Sequence, residues 1–345
     1  MRLGLLTGGG DCPGLNAFIR AAVIHTIRTH ESQILGFCDG WRGLLGGEVR
    51  ELSLQGIAGI LPRGGTILGT SRVDPIRTAG GIDQVRDAFR LFELDGLLVC
   101  GGDGTLSAAN ALSEAGLPII GIPKTIDDDV PGTDHSFGFD TALTHVVRAV
   151  DALHSTAESH DRVIVVEVMG RTTGWIAASA AIAGGADVAV TPEDPMSVQQ
   201  VVDVIRMRRA RGRMFSLVVI AEGATFLPDP DGSVLQTPQK LDSLGRPRFG
   251  GIGEELARVL ESRTGMEART VTLGYVQRGG SPTPYDRLLA SRMGLHAVDL
   301  AVRGEYGRMV SLKGLDVTSV PLSVVCSGPR PASADLLAAA RVFYG

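Results

Sequence analysis

Gly96-Leu97-Leu98-Val99-Cys100-Gly101-Gly102-Asp103-Gly104-Thr105 runs from an apolar stretch straight into a glycine-rich turn. A buried strand that ends in glycines and opens a helix is one βα unit of an open parallel sheet, where ligands bind at the carboxyl ends of strands. The same rhythm continues outward in both directions. Strands are predicted at 3–6, 34–37, 96–100, 118–122, 163–168, 216–221 and 270–275, with helices at 15–28, 106–115, 142–159, 198–211, 254–263 and 287–302. The class is α/β with mostly parallel sheets. A length of 345 residues exceeds one typical core, so two doubly wound, Rossmann-like domains are expected.

Hydrophobic residues make up 44% of the chain and charged residues 21%, the balance of a folded globular protein rather than a disordered or fibrous one. The formal net charge of -5 offers no general attraction for nucleic acid, so an anionic ligand must be held by locally placed Arg and Lys. Cys12, Cys38, Cys100 and Cys326 lie far apart, with neither CxxC pairs nor histidines at metal spacing. That pattern speaks against zinc and against a disulfide framework, and for buried thiols in a reducing compartment. No apolar stretch approaches the ~18 residues of a membrane span, and the N-terminal run has no basic region or cleavage site. A cytoplasmic protein without nucleic-acid or membrane partners is expected. The Pro-, Asp- and Gly-rich stretch 227–250 reads as an exposed excursion.

Several strand ends carry chemistry. In 101–105, backbone N–H groups and a helix N-terminus can converge on phosphate oxygens, and Asp103 supplies a carboxylate for Mg²⁺; the plainer alternative is a tight turn whose Asp caps the helix. Pro123-Lys124-Thr125-Ile126-Asp127-Asp128-Asp129 sets three carboxylates side by side, which repel unless a cation or an Arg lies between them. Thr7-Gly8-Gly9-Gly10-Asp11-Cys12-Pro13-Gly14 is a second glycine-lined cradle without the dinucleotide GxGxxG spacing, and no GxxxxGK[ST] occurs. Arg72, Arg162, Arg171 and Arg278 stand near glycines or strand ends, where guanidinium forks suit a small, multiply charged anion.

The segments TGGGDCPGLNAFIR (7–20), GGDGT (101–105), PKTIDDD (123–129), VVEVMGR (165–171), AEG (221–223) and LGYVQRGGSP (273–282) resemble those of the ATP- or pyrophosphate-dependent 6-phosphofructokinases. They match in order and spacing over essentially the whole chain. The resemblance implies a donor-binding domain at 1–138 plus about 251–302, a fructose-6-phosphate domain at 139–250 plus about 303–325, and a C-terminal extension, 326–345, packed on the body. It also implies Mg²⁺-dependent phosphoryl transfer to the 1-hydroxyl of fructose 6-phosphate, a step of glycolysis. Asp127 would take the hydroxyl proton, Arg72 and Arg171 would stabilise the transferring phosphoryl, and Asp103 and Asp129 would hold Mg²⁺. Gly10, Gly102, Gly104 and Thr105 would lie along the donor phosphates. Thr125, Asp129, Met169, Gly170 and Glu222 would position the sugar, with Tyr275 and Arg278 near its 6-phosphate. Arg162 and Arg269 match arginines that reach from a neighbouring subunit, which implies a homo-oligomer, typically a tetramer.

Departures from the family pattern bear on the donor. Gly104 is the small residue of ATP users, where pyrophosphate users carry an Asp that would repel the α-phosphate. Lys124 is typical of pyrophosphate users. Gly104 carries more weight because a flexible Lys can swing aside, so ATP is expected, with pyrophosphate the alternative and an NAD- or lipid-kinase-like activity a more distant one. Asp128 replaces the usual Asn, and would either raise the pKa of Asp127 or strengthen metal binding. Tyr275 replaces a frequent His but keeps a hydrogen-bond donor. Trp41 falls where the family often has an aromatic near adenine, or else packs in the core. Arg20, Gly185, Asp187, Arg211 and Arg213 match positions of a bacterial effector site, although Ile24 stands where regulated members have Arg. The basic residues of 208–213 read equally as a solvated face.

Overall fold

The structure, a computed structural model, describes residues 1–236 and 249–345, and the backbone alone of 240–241 and 247–248. The expected excursion at 227–250 lies outside the described residues at 237–239 and 242–246. Contacts divide the chain into two compact units, Met1–Thr141 with Arg278–Pro329, and Ala142–Gln277 with Arg330–Gly345.

The first unit is built on a sheet ordered Asp316–Pro321, Arg308–Lys313, Ile119–Thr125, Gly96–Gly101, Arg2–Thr7, Gln33–Phe37 and Val49–Glu51. Its five inner strands are parallel neighbours, and the two outer strands run antiparallel. Gly96–Gly101 and Ile119–Thr125 are buried at every position, as strands covered on both faces must be, which is why their sequence is a continuous apolar run rather than an alternation. Helices Gly81–Leu91 and Asp103–Glu114 contribute Val85, Phe89, Leu106 and Leu112 to a cluster that includes Leu6, Val99 and Met309. Trp41 is in that cluster with 1% exposure, so it packs the core and is not an adenine platform.

The second unit carries a four-stranded parallel sheet ordered Ala268–Thr272, Val163–Val168, Ser216–Ala221 and Val188–Val190. The strand predicted at 270–275 is thus displaced, and Gly274–Arg278 is a 3₁₀ turn. Helix Trp175–Gly184 is mostly buried and has Ser179 as its one polar side chain; without a polar face it shows no helical period in the sequence. Among the described residues no helix is long and apolar enough to cross a membrane.

The division differs from the expected one where backbone pairing decides it. Residues 251–277 join the second unit because Ala268–Thr272 pairs with Val163–Val168, whereas 303–325 join the first because Arg308–Lys313 pairs with Ile119–Thr125. The tail splits: 326–329 stay with the first unit and 330–345 with the second, where Arg341 ion-pairs with Asp194 and the Tyr344 hydroxyl donates to Ala189 O at 2.7 Å. The four cysteines are unpaired thiols; Cys12 and Cys100 are buried, but Cys326 is exposed rather than a core residue.

A buried carboxylate fastens two helix starts in the first unit. Asp286 accepts from the N–H groups of Gly138 at 2.9 Å and Thr141 at 2.8 Å, and from the Thr141 hydroxyl at 2.5 Å, tying helix Phe139–His160 to helix Pro284–Val302. Burial pushes its carboxyl from 3.8 up to about 6, against the pull of those hydrogen bonds. The native state therefore holds an extra proton between the two values. The stability this group contributes is full below 3.8 and is lost as pH rises through about 6. Asp286→Asn is expected to flatten that part of the stability–pH curve. Asp286→Ala, which leaves buried donors unmatched, should lose about 3 kcal/mol in urea unfolding. Unaltered stability in the alanine variant would refute the role given to Asp286.

Candidate active site

Register brings the chemistry-bearing loops of the first unit together. Thr7 pairs with Cys100 and Gly101 with Pro123, so three adjacent parallel strands end side by side. Gly8 N–H donates to Cys100 O at 2.9 Å, and Gly9 N–H donates to Ser71 O at 3.1 Å. The Thr70 hydroxyl donates to Gly9 O at 2.6 Å, which stitches the segment carrying Arg72 onto the first glycine loop. A Cβ on Gly8 would stand 2.8 Å from Thr105 Cγ2, and one on Gly101 2.4 Å from Thr105 Cβ. Thr105 thus fills the space between two glycine loops, and only glycines leave room for it.

Asp103 is the first residue of helix Asp103–Glu114, so its negative charge stands in the first turn, at the positive end of the helix dipole. Gly104 follows it, exposed, and a Cβ there would meet nothing within 4 Å. Lys124 is 2% exposed, and its ammonium donates to Gly10 O. It is a buried tie between the third loop and the first, which removes the argument that a flexible Lys swings aside. The Arg278 guanidinium lies over the same loop and donates to Asp11 O at 3.2 Å.

The acidic loop is buried: Asp127, Asp128 and Asp129 are at most 6% exposed. Asp127 N–H donates to the Thr125 hydroxyl at 3.0 Å, closing the turn. Asp128 has φ 53°, a left-handed conformation that Asn and Asp tolerate best. Its carboxylate accepts from Ser136 N–H at 2.8 Å and meets His135 Nδ1 at 2.8 Å. The Asx residue at this position therefore serves the turn. Asp103 and Asp129 follow neighbouring strands and offer hard oxygens, a donor set that fits Mg²⁺.

In the second unit two further strand ends meet. Val168 pairs with Ala221, Glu222 N–H donates to Val168 O at 2.8 Å, and Arg171 N–H donates to Glu222 Oε1 at 3.1 Å. Gly170 at φ 138° and Arg171 at φ 52° make the sharp turn, and a Cβ on Gly223 would come 1.8 Å from Arg171 O. Met169, Gly170, Arg171 and Glu222 are thereby one constellation. Two supports escaped the sequence reading. Gln277, fully buried, accepts from Met169 N–H at 3.2 Å and donates to Gly274 O at 3.1 Å, fixing the turn on which Tyr275 stands 78% exposed. Glu167 accepts from Gly251 N–H at 3.0 Å and Gly253 N–H at 2.8 Å, anchoring the start of helix Ile252–Thr264; a charge inside an apolar strand was its signal.

Arg162 and Arg269 stand elsewhere. Arg162 Nε donates to Glu267 Oε2 at 2.8 Å and Arg269 pairs with the other oxygen of Glu267, which keeps that carboxyl below its usual range. They sit at the amino ends of Val163–Val168 and Ala268–Thr272, whereas Met169–Arg171 follow the carboxyl end, about 20 Å along a six-residue strand. An open groove of 670 Å³ lined by Glu254, Arg258, Glu261 and Arg269 runs along this edge of the sheet. The residues matched to an effector site also divide. Arg20 is in the first unit, and in the second Asp187 bonds Leu217 N–H at 2.8 Å and Arg208 at 2.7 Å, Gly185 ends a helix, Arg211 donates to Gly345 O at 3.0 Å, and Arg213 is exposed.

The phosphofructokinase family model matches residues 2–301. The chain is 48% identical over its whole length to the whole of a pyrophosphate–fructose 6-phosphate 1-phosphotransferase of Amycolatopsis methanolica. It is 50% identical, over 94% of both chains, to ATP-dependent 6-phosphofructokinase 2 of Streptomyces coelicolor. Among solved structures it superposes on a Pichia pastoris phosphofructokinase with a TM-score of 0.83 at 31% identity, covering 99% of this chain and 36% of that longer one. With glycine loops, acidic turn and paired strand ends arranged as described, and with these matches over its length, the chain belongs to the phosphofructokinase family.

Proposed function

We propose that this protein transfers the γ-phosphoryl of ATP to the 1-hydroxyl of fructose 6-phosphate, yielding fructose 1,6-bisphosphate and ADP, as a cytoplasmic enzyme of glycolysis. The observation that carries the choice of donor is the open space at Gly104, where a Cβ would meet nothing within 4 Å and a donor longer than pyrophosphate would find room. Gly10, Gly102, Gly104 and Thr105 line the donor phosphates with backbone N–H groups. Asp103 and Asp129 would hold Mg²⁺, which when bound neutralises charge on the donor's terminal phosphates. Asp127 accepts the proton of the attacking hydroxyl, and its burial keeps water from competing for that proton. Thr125 holds the Asp127 turn in shape. Arg72 and Arg171 stabilise charge that develops on the transferring phosphoryl. Met169, Gly170 and Glu222 orient the sugar, and Tyr275 and Arg278 serve its 6-phosphate.

Pyrophosphate is the second reading, favoured by the buried Lys124 ammonium on the first glycine loop. Assay of the wild-type protein with each donor separates them. The expected kcat/KM for ATP exceeds that for pyrophosphate at least about tenfold, a difference of 1.4 kcal/mol or more in transition-state binding. The reverse order overturns the ATP reading.

Sites shared between subunits account for the position of Arg162 and Arg269 at the far ends of their strands, and a homotetramer is the proposed state. Arg162→Ala and Asp127→Ser should each be nearly inactive alone. Mixed in one oligomer, two-fold symmetry gives half the chains a partner of the other kind, with one intact site per such pair, or about a quarter of wild-type activity. Activity no higher than the sum of the two parents would sink the shared site.

A further inference from the structure

We propose that His25, His30 and Asp299 form a site for a divalent transition cation, with Zn²⁺ as the ion suited to it. His25 stands in the last turn of helix Leu15–Arg28, His30 just beyond that helix, and Asp299 on helix Pro284–Val302, which packs along it. His25 Nε2 lies 2.6 Å from Asp299 Oδ1. His30 Nε2 lies 3.4 Å from the same oxygen and 3.4 Å from His25 Nε2. Three ligand atoms from two helices and a loop converge on one point.

A neutral imidazole has one N–H and one lone pair. With Nδ1 of each ring protonated, both Nε2 lone pairs and the Asp299 oxygen are directed at the same place, and a dication there would accept all three together. Tetrahedral Zn²⁺ with bonds of about 2.05 Å places its ligand atoms about 3.3 Å apart. Two of the three separations already have that value, and the third opens by a small rotation of Asp299, whose side chain is 37% exposed.

The surroundings suit a cation. His25 Nδ1 lies 3.0 Å from the Thr29 hydroxyl, an outer contact that fixes the ring and directs Nε2 inward. The two rings meet edge to face, 4.8 Å between centroids. His25 is at a helix carboxyl end, where the backbone dipole favours positive charge. The histidines are 17% and 22% exposed, which leaves a side open for water as a fourth ligand. Mg²⁺ and Ca²⁺ prefer oxygen donors, so two imidazoles select a softer ion. Nothing in this proposal depends on the phosphoryl-transfer reading. The bound ion would clip the end of the first helix and the following loop to the facing helix.

The test uses the full chain, stripped with chelator and titrated with ZnCl₂ in excess Mg²⁺ to cover the acidic loops. One equivalent of Zn²⁺ per chain should survive dialysis and raise Tm by about 2 °C or more at 100-fold excess over Kd. His30→Gln and Asp299→Asn should each weaken Zn²⁺ at least about tenfold, while His154→Gln, which is not a member of the cluster, binds as wild type. Should either variant fail to fold, diethylpyrocarbonate labelling of the wild type serves instead, with Zn²⁺ shielding His25 and His30. No retained Zn²⁺ in the wild type, equal affinity in the His30→Gln variant, or labelling unaffected by Zn²⁺ overturns the proposal.

Discussion

Substituting serine for Asp127 is expected to lower kcat by on the order of 10²-fold or more while KM for fructose 6-phosphate changes little. The sugar hydroxyl must lose its proton as it attacks, and a general base acts mainly in the transition state, so its loss falls on kcat. Serine is smaller and cannot carry the proton away. The turn itself depends on Asp127 N–H and the Thr125 hydroxyl, both of which the variant retains, so the loop keeps its shape. Steady-state kinetics on the variant decide the matter, and turnover near that of wild type removes Asp127 from the chemistry.

Gly104→Asp should shift the protein from ATP toward pyrophosphate. The new side chain enters open space beside Asp103 and strains nothing, so the fold is expected to hold. What changes is charge. A carboxylate about 4 Å from a phosphate costs about 4 kcal/mol at the effective dielectric of a protein surface, and the nearby Mg²⁺ offsets part of it, so kcat/KM for ATP should fall on the order of 10²-fold. Pyrophosphate, which ends before that position, should lose far less. ATP use unaltered by the substitution would show that the donor is not selected at Gly104, and would move attention to Lys124.

Lys124 shows why the donor was only partly legible. The residue type was plain in the sequence, but the weight given to it rested on its being mobile, and burial with a tie to Gly10 O depends on a loop more than a hundred positions away. Asp128 is similar. Its identity suggested an added charge for the site, and the sequence did not show that its left-handed backbone and its bonds to Ser136 and His135 also serve the turn. Gln277 and Glu167 sat inside quoted motifs without a role, because what they bond, Met169 and the 251–253 backbone, is distant in the chain.

The α/β class, the helices at 15–28 and 198–210, the strands at 163–168 and 216–221, and the loops that carry the chemistry could be read from the residues in order, because hydrophobic period and glycine placement are local properties. Tertiary structure alone decided which strands neighbour which, and therefore that 251–277 belongs with one sheet and 303–325 with the other. It also decided that Trp41 is core, that Arg162 and Arg269 lie a strand's length from Arg171, and that two histidines and Asp299 converge. Backbone pairing and side-chain contact join residues far apart in sequence, and no local pattern records the partner.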